Sequence, residues 1–164
     1  MQRTMAIDQS SRTTGWAIYD NKNLVTFGHF SVPANKTIGQ RLEAFYTRLK
    51  NLIETYNIEE LFFEGIQYQN NAETYKKLAM IQGIVFYCSQ ILKIPCTELT
   101  PSHWRSIIKT KHKINFGKTR IEQKQQAQKF VQEYFKESPT EDECDAICLG
   151  LAGLYEKDQR KSAF

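Results

Sequence analysis

Residues 5–32 read MAIDQSSRTTGWAIYDNKNLVTFGHFSV, and this stretch decides the architecture. Residues 5–10 pass from apolar to polar, a short strand opening into a turn. Residues 14–20 (TGWAIYD) alternate and predict a second strand. Asp20-Asn21-Lys22-Asn23 is a turn signal. Residues 24–32 (LVTFGHFSV) are β-branched and aromatic, a third strand, and Pro33 ends it. Three strands with short connections predict an antiparallel meander.

Beyond Pro33 the period changes. Ile38, Leu42, Phe45, Leu49, Leu52 and Ile53 mark an amphipathic helix over residues 37–56. LFFEGI at 61–66 is a short apolar run, a buried parallel strand. Residues 72–92 form a long helix carrying Leu78, Ile81, Val85 and Leu92, and Pro95 separates it from a short strand at 96–99. Residues 101–109 predict a helical turn with Trp104, Ile107 and Ile108 facing inward, and 110–118 a basic loop containing Gly117. Helices at 119–135 and 141–158 follow, and 160–164 are expected to fray. With no repeat and no linker, residues 1–164 read as one unit. The order β-β-β-α-β-α-β-α-α predicts an α/β fold, a mixed five-stranded sheet flanked by helices, which matches the ribonuclease H-like architecture. Architecture alone assigns no function.

A chain of 164 residues with 41% apolar content can bury a core without disulfides or a structural metal. Cys88, Cys96, Cys144 and Cys148 form no CxxC pair and read as core thiols rather than a zinc site. No signal peptide and no run of about 18 apolar residues is present, so a soluble cytoplasmic protein without membrane contact is expected. The net charge of +4 permits nucleic-acid binding without requiring it. Its distribution is more telling. Lys109, Lys111, Lys113, Lys118, Arg120 and Lys124 stand in one stretch against the single acid Glu122.

Two carboxylates are out of place. Asp8 and Glu64 each sit in an apolar strand of a sheet covered on both faces, where an uncompensated charge is costly. A third group lies in Thr140-Glu141-Asp142-Glu143-Cys144-Asp145. Ser138 with Glu141, or Thr140 with Glu143, fits a capping box, so Glu141 and Glu143 read as capping residues. Asp142 and Asp145 share a helical face that continues as Leu149 and Ala152, which holds them at the edge of the core. Four inward carboxylates with no lysine or arginine in their motifs need a counter-charge. Hard oxygen donors select Mg²⁺, or Mn²⁺ in its place, over zinc. Two such ions can activate water and stabilise a leaving oxygen in phosphodiester hydrolysis.

These residues resemble a known family. Ala6-Ile7-Asp8-Gln9-Ser10-Ser11-Arg12-Thr13-Thr14-Gly15-Trp16 is similar to the first-strand motif of the RuvC-type Holliday junction resolvases. Phe63-Glu64-Gly65, with Asn71-Ala72-Glu73-Thr74-Tyr75-Lys76-Lys77-Leu78 and Gly83 beyond, resembles the second motif. Asp142-Glu143-Cys144-Asp145-Ala146 resembles the final D-x-x-D-A helix. Lys124-Gln125-Gln126-Ala127 resembles the helix that carries a basic active-site residue. The four motifs occur in the family's order across residues 6–152. The resemblance implies a homodimeric, Mg²⁺-dependent endonuclease that nicks opposed strands of a four-way DNA junction. It implies Asp8, Glu64, Asp142 and Asp145 as metal ligands and Lys124 as the cation on the phosphate, with Lys118 as its rival. Where the bacterial family often places a base-wedging aromatic, this chain has Gln67 followed by Tyr68, which makes Tyr68 the candidate. The basic loop also departs from the bacterial pattern, and the divergence and small size suit a phage-encoded version acting in the host cytoplasm.

DNA contact has support apart from the resemblance. Lys109, Lys111, Lys113, Lys118 and Arg120 offer sequence-independent phosphate contacts. Tyr68, Tyr75, His112 and Phe116 interleave with basic residues and could stack on unpaired bases, although packing explains Tyr75 and Phe116 as well. Three other readings stand beside this one. Asp8-Gln9-Ser10-Ser11 with Gly15 also resembles the phosphate hairpin of actin-like sugar kinases, but those need a second domain. A module that binds branched DNA without cutting would gain nothing from four acids. A nuclease acting on RNA–DNA hybrid or flaps is poorly separated from a junction resolvase by sequence.

Overall fold

The computed structural model describes residues 2–10, 12–68 and 70–162. Ser11, in the first turn, and Ala163 and Phe164, the end of the tail expected to fray, lie outside the described residues. The meander forms as the sequence predicts. Strand β1 (Arg3–Asp8) pairs antiparallel with β2 (Thr13–Asp20), and β2 with β3 (Asn23–Ser31). On the other side of β1, β4 (Glu60–Glu64) runs parallel to it, and β5 (Cys96–Leu99) runs parallel to β4. The sheet order is β3-β2-β1-β4-β5. Five helices accompany it: α1 (Ile38–Tyr56), α2 (Ala72–Leu92), α3 (Pro101–His112), α4 (Arg120–Phe135) and α5 (Glu141–Ser162).

Alternation along the strands sends side chains to two separate cores. Met5, Ile7, Ile18 and Phe63 pack against Phe45, Leu49, Ile81 and Val85 of α1 and α2. Ala6, Ala17, Tyr19 and Phe62 face α3, α4 and α5. α5 lies directly on this second face, and glycines on the helix make room for the sheet's side chains. A Cβ on Gly150 would stand 2.9 Å from that of Ala6, and one on Gly153 would stand 2.7 Å from the Phe62 ring. The Tyr19 hydroxyl donates to the Ile147 carbonyl over 2.7 Å and pins the helix there.

Three elements differ from the sequence expectation. The predicted turn at 101–109 is a twelve-residue helix, so the chain has one more helix than the expected order, and the basic loop begins only at Lys113. Thr100 caps this helix, Pro101 fits its first turn, and Lys109, Lys111 and His112 oppose the dipole at its end. Next, α5 continues four residues past Asp158. Arg160 pairs with Glu156 at 2.7 Å and the Ser162 hydroxyl donates to the Asp158 carbonyl, so residues 160–162 are helical rather than frayed. Finally, α2 exposes Met80, Phe86, Tyr87 and Ile91 on its outer side, where an amphipathic helix would carry polar residues.

Candidate active site

Asp8 is the last residue of β1 and Glu64 the last of β4. The strands are parallel neighbours with Ile7 opposite Phe63, so both carboxylates leave the sheet at the same level. The turn after Asp8 is closed by Ser10, whose hydroxyl accepts the Thr13 N–H at 2.9 Å. The Gln9 amide donates to the Glu64 carbonyl and ties the two strand ends together.

The other two acids arrive on α5. Gly15 is the register partner of Asp8 on β2, and a Cβ there would collide with the backbone carbonyl of Asp142. Glycine is what lets the first turn of α5 lie against the sheet beside Asp8. The capping box forms with Thr140 and Glu143: the Thr140 N–H donates to Glu143 Oε2 over 2.8 Å. Glu143 is therefore a capping residue, as its spacing predicts. It also accepts a hydrogen bond from His29 Nδ1 at 2.7 Å, which the sequence did not indicate. Asp142 and Asp145 turn from the same helix toward the cavity.

Asp8, Glu64, Asp142 and Asp145 line one open cavity of about 620 Å³, together with Lys124, Arg105 and Arg120. Lys124 on α4 forms an ion pair with Asp145. Lys118 does not reach the lining, so Lys124 is the lysine at the acids. Arg105, which lies outside the acids' own motifs, was missed by sequence reasoning and also lines the cavity. It lies one residue beyond Trp104, its guanidinium 4.7 Å from that ring. Trp104 is also part of the site, since its indole N–H donates to Glu64 Oε1 at 2.8 Å. The signal for both was the apolar face of the segment after Pro101, read there only as a turn.

The electrostatics show a centre short of positive charge. Burial raises the Asp8 pKa well above its ordinary value, and the neighbouring Glu64 and Asp145 push it further up. Burial also raises Glu64, against the opposing pull of the Trp104 hydrogen bond and Arg105. Asp145 is raised by burial despite Lys124 and Arg105. Burial works against the Lys124 ammonium, yet Asp145, Asp8 and Asp142 together hold its pKa above the usual value. The negative charge of Glu64 bears directly on the Asp8 carboxyl, so the pair lacks compensating positive charge. A divalent cation can supply that charge, and an all-oxygen donor set suits Mg²⁺ or Mn²⁺. Among the described residues, no three acidic, histidine or cysteine side chains are gathered closely enough to hold an ion as they stand. Lys124 engages Asp145 and Trp104 engages Glu64.

The other predicted contacts are scattered. Arg120 lines the cavity. Tyr68 is 66% exposed and stacks edge-on against Tyr75, which lines the cavity. Lys109, Lys111 and Lys113 sit at the far end of α3 from Pro101, and Lys111 lies over the Tyr155 ring. His112 is enclosed by Phe130, Tyr134 and Tyr155, and Phe116 is buried against Trp104, so neither is free to stack on a base.

Comparison with known proteins agrees with this geometry. The family model for crossover junction endodeoxyribonuclease RuvC matches residues 4–152. The crossover junction endodeoxyribonuclease RuvC of Hydrogenovibrio crunogenus is 29% identical over 157 residues, covering 92% of this chain and 86% of the relative. That of Dictyoglomus thermophilum is 21% identical, covering 94% and 97%. The fold is shared with Thermus thermophilus RuvC in complex with a Holliday junction substrate, at a TM-score of 0.79, 13% identity and 96% coverage of both chains. The fowlpox virus resolvase bound to Holliday junction DNA aligns at a TM-score of 0.59 and 16% identity, covering 95% of this chain and 99% of that one. The fold, the four carboxylates at one cavity and the match over nearly the whole length lead to one conclusion: the chain belongs to the crossover junction endodeoxyribonuclease RuvC family.

Proposed function

We propose that this protein is an endonuclease that resolves four-way and other branched DNA by hydrolysing phosphodiesters in opposed strands. The observation that carries this reading is the meeting of Asp8, Glu64, Asp142 and Asp145 with Lys124 in one open cavity of a RuvC-family chain. Asp8 and Glu64, with Asp142 and Asp145 beside them, are the residues that would hold Mg²⁺ or Mn²⁺. When bound, such ions supply the charge that activates water and stabilises the leaving 3′ oxygen. Lys124 faces the phosphate as the fixed cation, and Arg105 and Trp104 keep Glu64 oriented. Arg120 and Lys118 take the nearest DNA backbone. Lys109, Lys111 and Lys113, about 12–18 Å along α3, take phosphates of an arm leaving the cleft. Tyr68 stands at the rim where an unpaired base would stack.

A homodimer belongs to the same proposal. The exposed Met80, Phe86, Tyr87 and Ile91 form an unusual apolar face on α2, and Gly83 within it has open space around its Cα where a second helix could come close. Among the described residues no helix is long and apolar enough to cross a membrane, which fits a cytoplasmic place of action. A phage origin also remains part of this proposal, motivated by the chain's divergence.

The test is to incubate the protein and its Asp8→Asn variant with a labelled four-way junction, a plain duplex and an RNA–DNA hybrid, with and without Mg²⁺. Metal-dependent cutting of the junction by the wild type alone is the expected result. Failure to cut any substrate would sink the nuclease reading, and cutting of the hybrid alone would sink the junction assignment. A monomeric mass at micromolar concentration, free and DNA-bound, counts against the dimer. So does a Tyr87→Glu protein that keeps the wild-type mass.

A further inference from the structure

His29 lies outside the acidic cavity, and no family motif quoted above includes it. The register nevertheless places it in line with the site. Asp8 on β1 pairs with Gly15 on β2, and Gly15 pairs with His29 on β3. Cross-strand partners share a face, so these three residues form a row across the sheet, roughly 10 Å from end to end. The first turn of α5 lies over this row. The Asp142 backbone rests on Gly15, and Glu143, the residue after Asp142, reaches His29 at 2.7 Å.

The bond is specific. A carboxylate only accepts, so Nδ1 of His29 carries the hydrogen. The two Glu143 oxygens have separate tasks: Oε2 accepts the Thr140 N–H inside the helix cap, and Oε1 accepts from β3. The rest of α5 does not depend on His29. It is held by the buried run from Ala146 to Leu154 and by the Tyr19 hydrogen bond to Ile147. His29 is itself 46% exposed, so shortening it opens no void in the core. What His29 restrains is the first turn alone, the part of a helix that frays most readily. That turn carries Asp142 and leads directly into Asp145, the next cavity acid on the helix.

We propose that His29 is a positioning residue that latches the first turn of α5 to β3 through Glu143, and so sets where Asp142 and Asp145 stand relative to Asp8 and Glu64. This rests on the reading of those four acids as the active centre.

The experiment compares wild type, His29→Ala and His29→Asn. The amide nitrogen of asparagine falls close to the place of Nδ1 and can donate to Glu143. Three quantities are measured: amide exchange along α5 in the metal-free protein, junction affinity without metal, and kcat on a four-way junction over a Mg²⁺ titration. In His29→Ala, exchange at 143–145, the first hydrogen-bonded amides of the helix, rises about tenfold while 147–154 stays unchanged. Its kcat falls about ten- to a hundredfold and half-maximal activity moves to higher Mg²⁺, with metal-free junction affinity unaltered. His29→Asn restores most of both. Equal exchange at 143–145 in wild type and His29→Ala overturns the latch, as does a His29→Asn protein no better than His29→Ala, or exchange that rises along the whole of α5. If the wild type cuts no junction at all, the functional reading fails, and the exchange comparison alone decides the latch.

Discussion

The indole nitrogen of Trp104 donates to Oε1 of Glu64 across 2.8 Å, so a fully buried side chain on α3 fixes the direction of a carboxylate on β4. Trp104→Phe removes that donor and leaves a void beside Phe116. It should destabilise the protein by about 1–3 kcal/mol. It should also lower kcat about tenfold by releasing Glu64. Denaturant unfolding and single-turnover cleavage measure the two effects separately, and unchanged cleavage would remove Trp104 from the site.

Asp8 gives a pH dependence. An acid whose pKa is higher in the folded state than in the unfolded chain binds more protons when folded. Its contribution is fully present below its unfolded value, near 3.8, and is lost as pH rises through the raised folded value. With chelator at pH 7–8, Asp8→Asn should therefore melt above the wild type, by about 2–4 °C for each kcal/mol relieved. The difference should shrink as pH falls toward 4. Added Mg²⁺ should raise the melting temperature of the wild type more than that of the variant. The opposite order at neutral pH would mean Asp8 is already compensated.

Gly15 and Gly39 make a paired test. A methyl on Gly15 strikes the Asp142 carbonyl, whereas one on Gly39 in α1 meets nothing within 4 Å. Gly15→Ala should cost about 1–3 kcal/mol through overpacking and abolish most of the cleavage. Gly39→Ala should gain about 0.5–1 kcal/mol from helix propensity, with cleavage unaffected. Equal behaviour of the two variants would show that the contact between α5 and β2 is not tight.

The thiols should be inert in the folded protein. Burial pushes Cys88 up to about 11 and Cys144 up to about 12, and raises Cys148 well above its ordinary value. Iodoacetamide at pH 8 should leave these three unmodified for as long as the fold persists. All four cysteines should label in guanidinium, read by intact mass. Rapid native labelling of Cys144 would indicate that α5 lifts from the sheet.

The strands and long helices were legible because each carries a clear period: the meander at 5–32, the three-and-four spacing of α1, and the face shared by Asp142, Asp145, Leu149 and Ala152. The four acids were legible because a carboxylate in an apolar strand or on a core-facing helix edge is locally anomalous. Arg105, Trp104 and His29 were not. Each looks ordinary within its own segment, and each matters through a partner 40 or more positions away: Glu64 for Trp104 and Arg105, Glu143 for His29. The basic stretch divides in space, which its sequence does not reveal. Its lysines are neighbours in sequence, but α3 carries Lys109 and Lys111 to one end of the molecule while α4 returns Arg120 and Lys124 to the cavity.

The seating of α5 on β1 and β2 has a consequence for how the protein is made. The proposed metal-binding acids come from elements far apart in sequence, Asp8 from β1 and Asp142 and Asp145 from α5. That helix also covers Ala6, Ala17, Tyr19 and Phe62. A product of premature termination before residue 141 would lack half of the acids and the lid of one core, and would be cleared as a misfolded chain. The proposed centre therefore comes together only once α5 has been made and has docked on the sheet.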